Sequence, residues 1–508
     1  MPHGSEIGCD LCIIGAGAAG IALALELDGS GIDVVLLESG GFEYDDATQA
    51  LYEGRSVGHH AASLVDARLR YFGGSTNHWG GFCHPLDHQD FIERPWVPDS
   101  GWPIARADLD PFYARAQPIL ELQDYDYSVR RWKKSLPPIF TGKMFEGRLM
   151  PEIFQLSPPT NMGELYRSAL VSSANVRLFL WSNLREIVPD GTATTVERLD
   201  VACLSGNGFS ILPRKVVLAT GGIENPRILL ASNTVAPAGL GNGHDIVGRY
   251  YMDHPSHEAA TLLLNQPSQI ARRPAMQPIF PQAALRPEVE DAERVQRFLT
   301  TLHVGQELFA EPEGYMAVRD IFKAFGRLEW PDDLSERLEI FLGDIDDAVS
   351  YGYQRYFADA EALGLRVHTE VGPHPQSRIM LGDSVDALGM PTVIRDWELG
   401  ELDRRTIRRG LEIVGEEAGR AGLGRLRIHD WVMQPDFEVP GSGSWHHMGT
   451  TRMHADPGKG VVDAHCRVHG MSNLYIAGSS VFPTSGMANP TLTIVALAIR
   501  LADHLKAS

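Results

Sequence analysis

The chain has 508 residues, 44% of them apolar and 22% charged, enough for two or three domains around a large buried core. With 45 Lys and Arg against 65 Asp and Glu the net charge is −20 and no basic run occurs, which excludes nucleic acid and anionic membranes as partners; a cationic substrate would be drawn in, although solubility alone explains the acidity. Five cysteines are few and odd in number, against a secreted disulfide framework, and no apolar run approaches a membrane span, so a cytoplasmic location is expected.

The opening MPHGSEIG has neither the basic nor the apolar region of an export signal. Cys9 and Cys12 form a CxxC, but no second CxxC exists and Cys12 falls within an apolar strand, so both are assigned to core packing. That strand, Leu11 to Ile14, runs into Gly15-Ala-Gly17-Ala18-Ala19-Gly20, then an Ala- and Leu-rich helix, a Gly-Ser-Gly turn, and a second strand, Val34 to Leu37, ending in Glu38 and Ser39. The pattern is a complete βαβ dinucleotide unit. Gly15 allows the tight turn, Gly17 the approach of a pyrophosphate, and Gly20 the packing of helix on strand; Glu38 is placed to accept from ribose hydroxyls.

Further along, residues 96 to 165 are ambiguous. Residues 214 to 232 read as a strand running into Ala219-Thr220-Gly221, followed by a turn, Glu224-Asn225-Pro226-Arg227, whose polar residues are expected to be structural. Residues 263 to 290 read as proline-punctuated loop, and residues 331 to 365 as acidic helix. Residues 472 to 505 give a last strand into Gly478-Ser479, then a helix. A cofactor site built from the first forty and the last forty residues suits a large, buried FAD better than NAD. The expected architecture is α/β (α+β overall): a Rossmann-like FAD-binding domain from residues 1–95, 165–255 and 440–508, with an inserted substrate-binding domain of sheet and helices from 96–164 and 256–439.

Five stretches carry a more specific signal: GAGAAG (15–20), GGSTNHWGG (73–81), VVLATGGIENPRILLAS (216–232), SWHHMGTTRM (444–453), and the ending NLYIAGSSVFPTSGMANPTLTIVALAIRLADHL (473–505). Together and in this order they resemble the glucose-methanol-choline (GMC) oxidoreductases. The His-Trp after the double glycine and the GMANPT ending are similar to pyranose oxidases and bacterial glycoside-oxidising relatives.

The resemblance implies that the histidine three residues before Gly449-Thr450, His446, is the catalytic base, with Asn489 as its partner. His447 falls one place late; adjacent residues of an extended segment point to opposite sides, so only one can face the cofactor. A neutral imidazole suits removal of a hydroxyl proton while hydride leaves for the flavin. Asn489 before Pro490 and Thr491 also reads as a helix N-cap. The resemblance further implies that Gly73, Gly74, Ser75, Thr76, Asn77, His78, Trp79 and Gly80 line the flavin, with His78 at the position that is covalently linked in some pyranose oxidases; an intact glycine fingerprint favours noncovalent FAD. Gly80 stands where pyranose oxidase has a threonine, which argues for a quinone or dye-like acceptor over O₂. Gly478 stands where many members have Asp. Trp445 and His447 are expected at the substrate; Trp79 and Trp102 could stack on a sugar face, though a tryptophan is more often core. No metal is expected, because His446, His447, His454, His465 and His469 have no convergent spacing.

The expected reaction is FAD-dependent oxidation of a sugar or glycoside hydroxyl to a carbonyl. The alternative is oxidation of an aminosugar, an aminocyclitol or a non-sugar primary alcohol. The oligomeric state is left open.

Overall fold

A computed structural model describes residues 3–59, 63–268, 270–271, 277–304, 312–326, 330–331, 333–356, 359–441 and 443–508. Residues 1 and 2 of the expected non-signal opening, and 269, 272–276, 332, 357 and 358 of the two middle stretches, lie outside the described residues.

Strand β1 (Ser5–Ile14) is longer than its apolar run, because it pairs in parallel with Gly208–Leu218 along its whole length and with β2 (Val34–Leu37) only from Leu11 onward. Leu11 to Ile14 and all of β2 are buried, as expected for strands covered on both faces; each such side chain contributes about 1.5 to 3 kcal/mol. The sheet order is Val176–Phe179, β2, β1, Gly208–Leu218, Val196–Ala202, Asn183–Pro189, with Leu474–Ile476 added in parallel on Gly208–Leu218. Helix α1 (Ala18–Leu27) crosses from β1 to β2 and packs against the C-terminal helix Thr491–Ala507. Gly20 is required there: a Cβ would stand 1.8 Å from the Gly15 carbonyl oxygen.

A second seven-stranded sheet, antiparallel throughout, runs Gly424–Ile428, Ser256–Ser268, Ala360–Thr369, Phe298–Val304, Ile279–Leu285, Leu149–Leu156, Phe82–Cys83. The amphipathic helix Glu401–Arg420 covers one face, where Gly410 admits the ring of Phe298.

The expectation of loop over 263–290 is corrected: this stretch contains the end of one strand, the whole of Ile279–Leu285 and the start of the helix Pro287–Glu293. Pro281 is tolerated because pairing with Phe298–Val304 is confined to Ala283 and Ala284. The expected helix over 331–365 holds for Leu334–Gly343 and Ile345–Tyr356 but gives way to strand at Ala360. Glu224 to Arg227 is not a turn; it lies inside the helix Gly221–Ala231, with Pro226 in its interior. None of the helices among the described residues is long and apolar enough to cross a membrane.

Candidate active site

Three parallel strands end side by side, β1 at Ile14, Gly208–Leu218 at Leu218 and Leu474–Ile476 at Ile476, and the loops that follow them open a cavity of about 330 Å³. The crevice beyond the carboxyl ends of parallel strands is where such sheets bind ligands. It is lined by Gly15, Gly17, Ala18 and Ala19 from the first loop, Glu38 and Ser39 after β2, Ala219, Thr220 and Gly221 in the middle, and Gly478, Ser479, Pro490 and Thr491 at the end. Gly74, Ser75, Thr76, His78, Trp79 and Gly80 form another wall.

The lining fits a dinucleotide. Gly17, Gly221 and Gly478 leave open space where a Cβ would stand, and Gly17 caps α1 without a side-chain bond, so the first N–H groups of that helix face the cavity as an anion site. Glu38 accepts from the N–H of Ala16 (2.9 Å) and of Gly40 (3.0 Å); it therefore fixes the glycine loop and keeps acceptor capacity toward the cavity.

Three residues expected at the cofactor do not line the cavity. Gly20 serves packing, Gly73 adopts φ 99° and donates its N–H to the Ala16 carbonyl, and the Asn77 amide donates to the Phe72 carbonyl at 3.1 Å. All three hold the loops in shape. The polar residues of Glu224 to Arg227 are structural, as expected. Burial pushes the Glu224 carboxyl up, but the guanidiniums of Arg227, Arg68 and Arg70 outweigh it and hold the group down at about 2. Asn225 ties the middle loop to the last one, accepting from Thr220 Oγ1 (2.6 Å) and donating to Ser480 Oγ (2.9 Å).

His446 and His447 point apart. Trp445, in left-handed backbone at φ 62°, turns the chain so that the His446 ring reaches the cavity edge, with Nε2 3.2 Å from the Asn489 amide nitrogen. The His447 ring stacks on Tyr251, with centroids 6.0 Å apart, and its buried Nε2 has no hydrogen-bond partner among the described residues. Burial, with His254 and His447 nearby, holds His446 well below the ordinary histidine range; burial, with Arg395 and Arg68, does the same for His447. Both are neutral imidazoles at pH 7.

Asn489 does not cap the last helix, contrary to the N-cap expectation. That helix is Thr491–Ala507 and Pro490 occupies the cap, so the Asn489 amide is left for His446. Trp445 is 41% exposed and its ring lies 5.5 Å from that of His78, across the cavity wall. Trp102 is core: it is buried and donates to Thr484 Oγ1.

The pattern of spacing missed three residues. His254 Nδ1 lies 2.8 Å from His446 Nδ1, the neighbouring Asp253 accepts the His446 N–H at 2.8 Å, and the His368 ring stands 4.5 Å from that of His254. Nitrogens of His254, His368 and His446 lie within 4.8 Å of one another, close enough to hold a metal ion, although a hydrogen bond occupies the nearest pair. His465 and His469 are not in that group: His465 stacks on His504, and His469 bonds the His454 carbonyl.

Residues 373–498 match the family model described as GMC oxidoreductase. The chain is 24% identical to the 2-methyl-1,2-propanediol dehydrogenase of Mycolicibacterium austroafricanum over 98% of this chain and 95% of that protein. It is 29% identical to the C-glycoside 3-oxidase of Microbacterium trichothecenolyticum over 63% of this chain and 52% of that protein. The crystal structure of pyridoxine 4-oxidase from Mesorbium loti superposes with a TM-score of 0.59 at 20% identity, covering 98% of this chain and 99% of that one. The chain is thus similar to the GMC oxidoreductases through residues 373–498 and, at lower identity, to oxidoreductases over its full length. It is an oxidoreductase with a flavin cofactor and a Rossmann-like cofactor-binding fold.

Proposed function

We propose that the chain oxidises a hydroxyl of a sugar or glycoside to a carbonyl, using FAD. The observation that carries this reading is His446 Nε2, a neutral base at the edge of the glycine-lined cavity, 3.2 Å from the Asn489 amide. In it, His446 takes the hydroxyl proton at Nε2 and Asn489 holds the substrate oxygen beside it, a contribution of roughly 10² to 10⁴-fold from the base. FAD, when bound, supplies the hydride acceptor. The N-terminus of the helix Thr491–Ala507 adds a positive dipole end at the cavity wall. In this reading FAD is held by segments 1–95, 165–255 and 440–508, and the substrate is enclosed by 96–164 and 256–439, with Trp445 at the substrate end; the expected place of His447 there is given up, because its ring packs on Tyr251.

Similarity to a C-glycoside 3-oxidase supports the glycoside reading. Full-length similarity to a propanediol dehydrogenase favours, as a second reading, a non-sugar alcohol. The five cysteines, all unpaired, support a reducing, cytoplasmic setting. Flavin absorbance in the purified protein, with oxidation that needs no added nicotinamide, tests the cofactor reading; a colourless protein that requires NAD would end it.

Two expected results arise here. His78 lines the cavity, but Gly17, Glu38 and the open glycine positions are sufficient for noncovalent binding. Acid precipitation is therefore expected to release yellow FAD and leave a colourless pellet. A yellow pellet, with the chain heavier by one FAD in a denaturing mass spectrum, would instead make His78 the attachment site.

The second concerns the acceptor. A Cβ on Gly80 would come within 3.0 Å of the Phe82 ring, so the position takes no side chain unless Phe82 moves, and none is available there to hold an oxygen adduct. Stopped-flow reoxidation is expected to be faster with a benzoquinone than with air. Equal rates would contradict this assignment of Gly80.

A further inference from the structure

The Asp253-His254 dipeptide holds His446 twice. Asp253 Oδ1 accepts the backbone N–H of His446 at 2.8 Å, and the His254 ring meets the His446 ring through their two Nδ1 atoms, also at 2.8 Å. On its other side His254 Nε2 lies 2.8 Å from the carbonyl oxygen of Gly486. The chain of contacts thus runs from a backbone carbonyl through two imidazoles to the Asn489 amide and the cavity.

The direction of protons along this chain follows from its fixed end. A backbone carbonyl has no hydrogen to give, so His254 Nε2 is the donor to Gly486. A neutral imidazole carries one N–H, so His254 Nδ1 is bare and must accept. His446 Nδ1 must then carry the hydrogen it donates, and His446 Nε2 is left bare, facing Asn489 Nδ2. Reversing any one bond would set two lone pairs or two N–H groups against each other in a buried site.

We propose that His254 is a positioning residue that fixes His446 in the Nδ1–H tautomer, keeping Nε2 bare toward the cavity. The inference rests on the reading of His446 as the base: with the opposite tautomer Nε2 would carry a hydrogen and could not take a proton from a hydroxyl. Asp253 sets the height of the His446 backbone and His254 sets the proton. One dipeptide, 192 residues away in sequence, controls both.

Both rings must be neutral for the polarity to hold. The groups around them are consistent with this. His446 faces His254, His368 and the neighbouring His447. His254 faces His368, the Gly486 carbonyl and the carboxylate of Glu370, which is already ion-paired with Arg94 at 2.5 Å. Burial holds His254 down at about 4 and His446 well below the ordinary range, so neither is protonated near pH 7.

The test is the ¹⁵N spectrum of histidine-labelled holoenzyme, with the His446 signals assigned by their loss in His446→Ala, because tautomers are read from such shifts and not from heavy-atom positions. In the wild type, His446 Nε2 is expected at the unprotonated-imidazole position and Nδ1 at the protonated one. In His254→Leu the Nδ1–H would face an apolar side chain, so the proton is expected to move to Nε2. Substrate-driven flavin reduction should then fall by roughly 10- to 100-fold with flavin content unchanged. His254→Asn keeps an acceptor oxygen near the Nδ1 position and should retain the wild-type tautomer and most of the rate.

A proton on Nε2 in the wild type would overturn the proposal without any variant being needed. So would unchanged His446 shifts in His254→Leu, or an Asn variant as impaired as the Leu variant. If His446→Ala reduces its flavin at a rate near that of the wild type, the base reading fails by itself, whatever the spectrum shows. A spectrum of the opposite tautomer with His446→Ala inactive would sink this inference alone.

Discussion

His446→Ala is expected to lose about 10² to 10⁴-fold in the rate of flavin reduction by substrate while keeping its flavin, because it removes the base and nothing that lines the cofactor loops. His447→Ala is the matched control. Its ring stacks on Tyr251 away from Asn489, so its loss should be felt in packing and stability before it is felt in rate. Single-turnover reduction of the two variants at equal flavin content decides between them. A larger loss from His447 would reverse the assignment of the base.

The second large effect is on stability. Glu224 is buried and meets Arg68 at 2.8 Å, Arg227 at 3.1 Å and Arg70 at 3.4 Å; the two nearest guanidiniums are also buried. Glu224→Gln removes the negative charge and leaves those cations without full compensation, which costs about 3 to 5 kcal/mol where a buried pair is broken. A thermal midpoint lower by several degrees is expected. The sign with pH follows from the carboxyl, held at about 2 when folded against an ordinary value of 4.5. Its contribution is complete above pH 4.5 and is lost only as pH falls toward 2. The gap between wild type and variant should therefore be constant from pH 7 to pH 5. A midpoint unmoved by the substitution would show that the charge is redundant.

Much of this site was legible because its parts are local in sequence. The strand, glycine turn, helix and second strand of residues 5 to 38 obey short-range rules, and the three loops at the ends of parallel strands announce themselves by small residues after apolar runs. The position of His446 before Gly449 and Thr450 is local too. What the spacing could not reach were contacts between distant segments. Asp253 and His254 sit just before a strand of the second sheet, and no periodicity links them to His446.

The errors have the same origin. Prolines made 263–290 read as loop, yet the ladder leaves Pro281 outside the pairing that would need its N–H. Asn489 has the composition of a cap, but Pro490 takes that place and a histidine 43 residues earlier claims the amide. Glu224-Asn225-Pro226-Arg227 looked like a turn because of Pro226. Burial of its polar side chains against partners far along the chain makes it helix.

Anaerobic titration of the purified protein shows whether a hydroxyl of a sugar or glycoside reduces the flavin. The oxidised flavin band would be followed while a panel of glycosides, free sugars, aminosugars and 2-methyl-1,2-propanediol is added in turn. At least one glycoside or sugar is expected to bleach the band stoichiometrically, and His446→Ala to bleach with the same compound about 10²- to 10⁴-fold more slowly. Bleaching by the propanediol or an aminosugar alone, with every neutral sugar and glycoside inert, would contradict it.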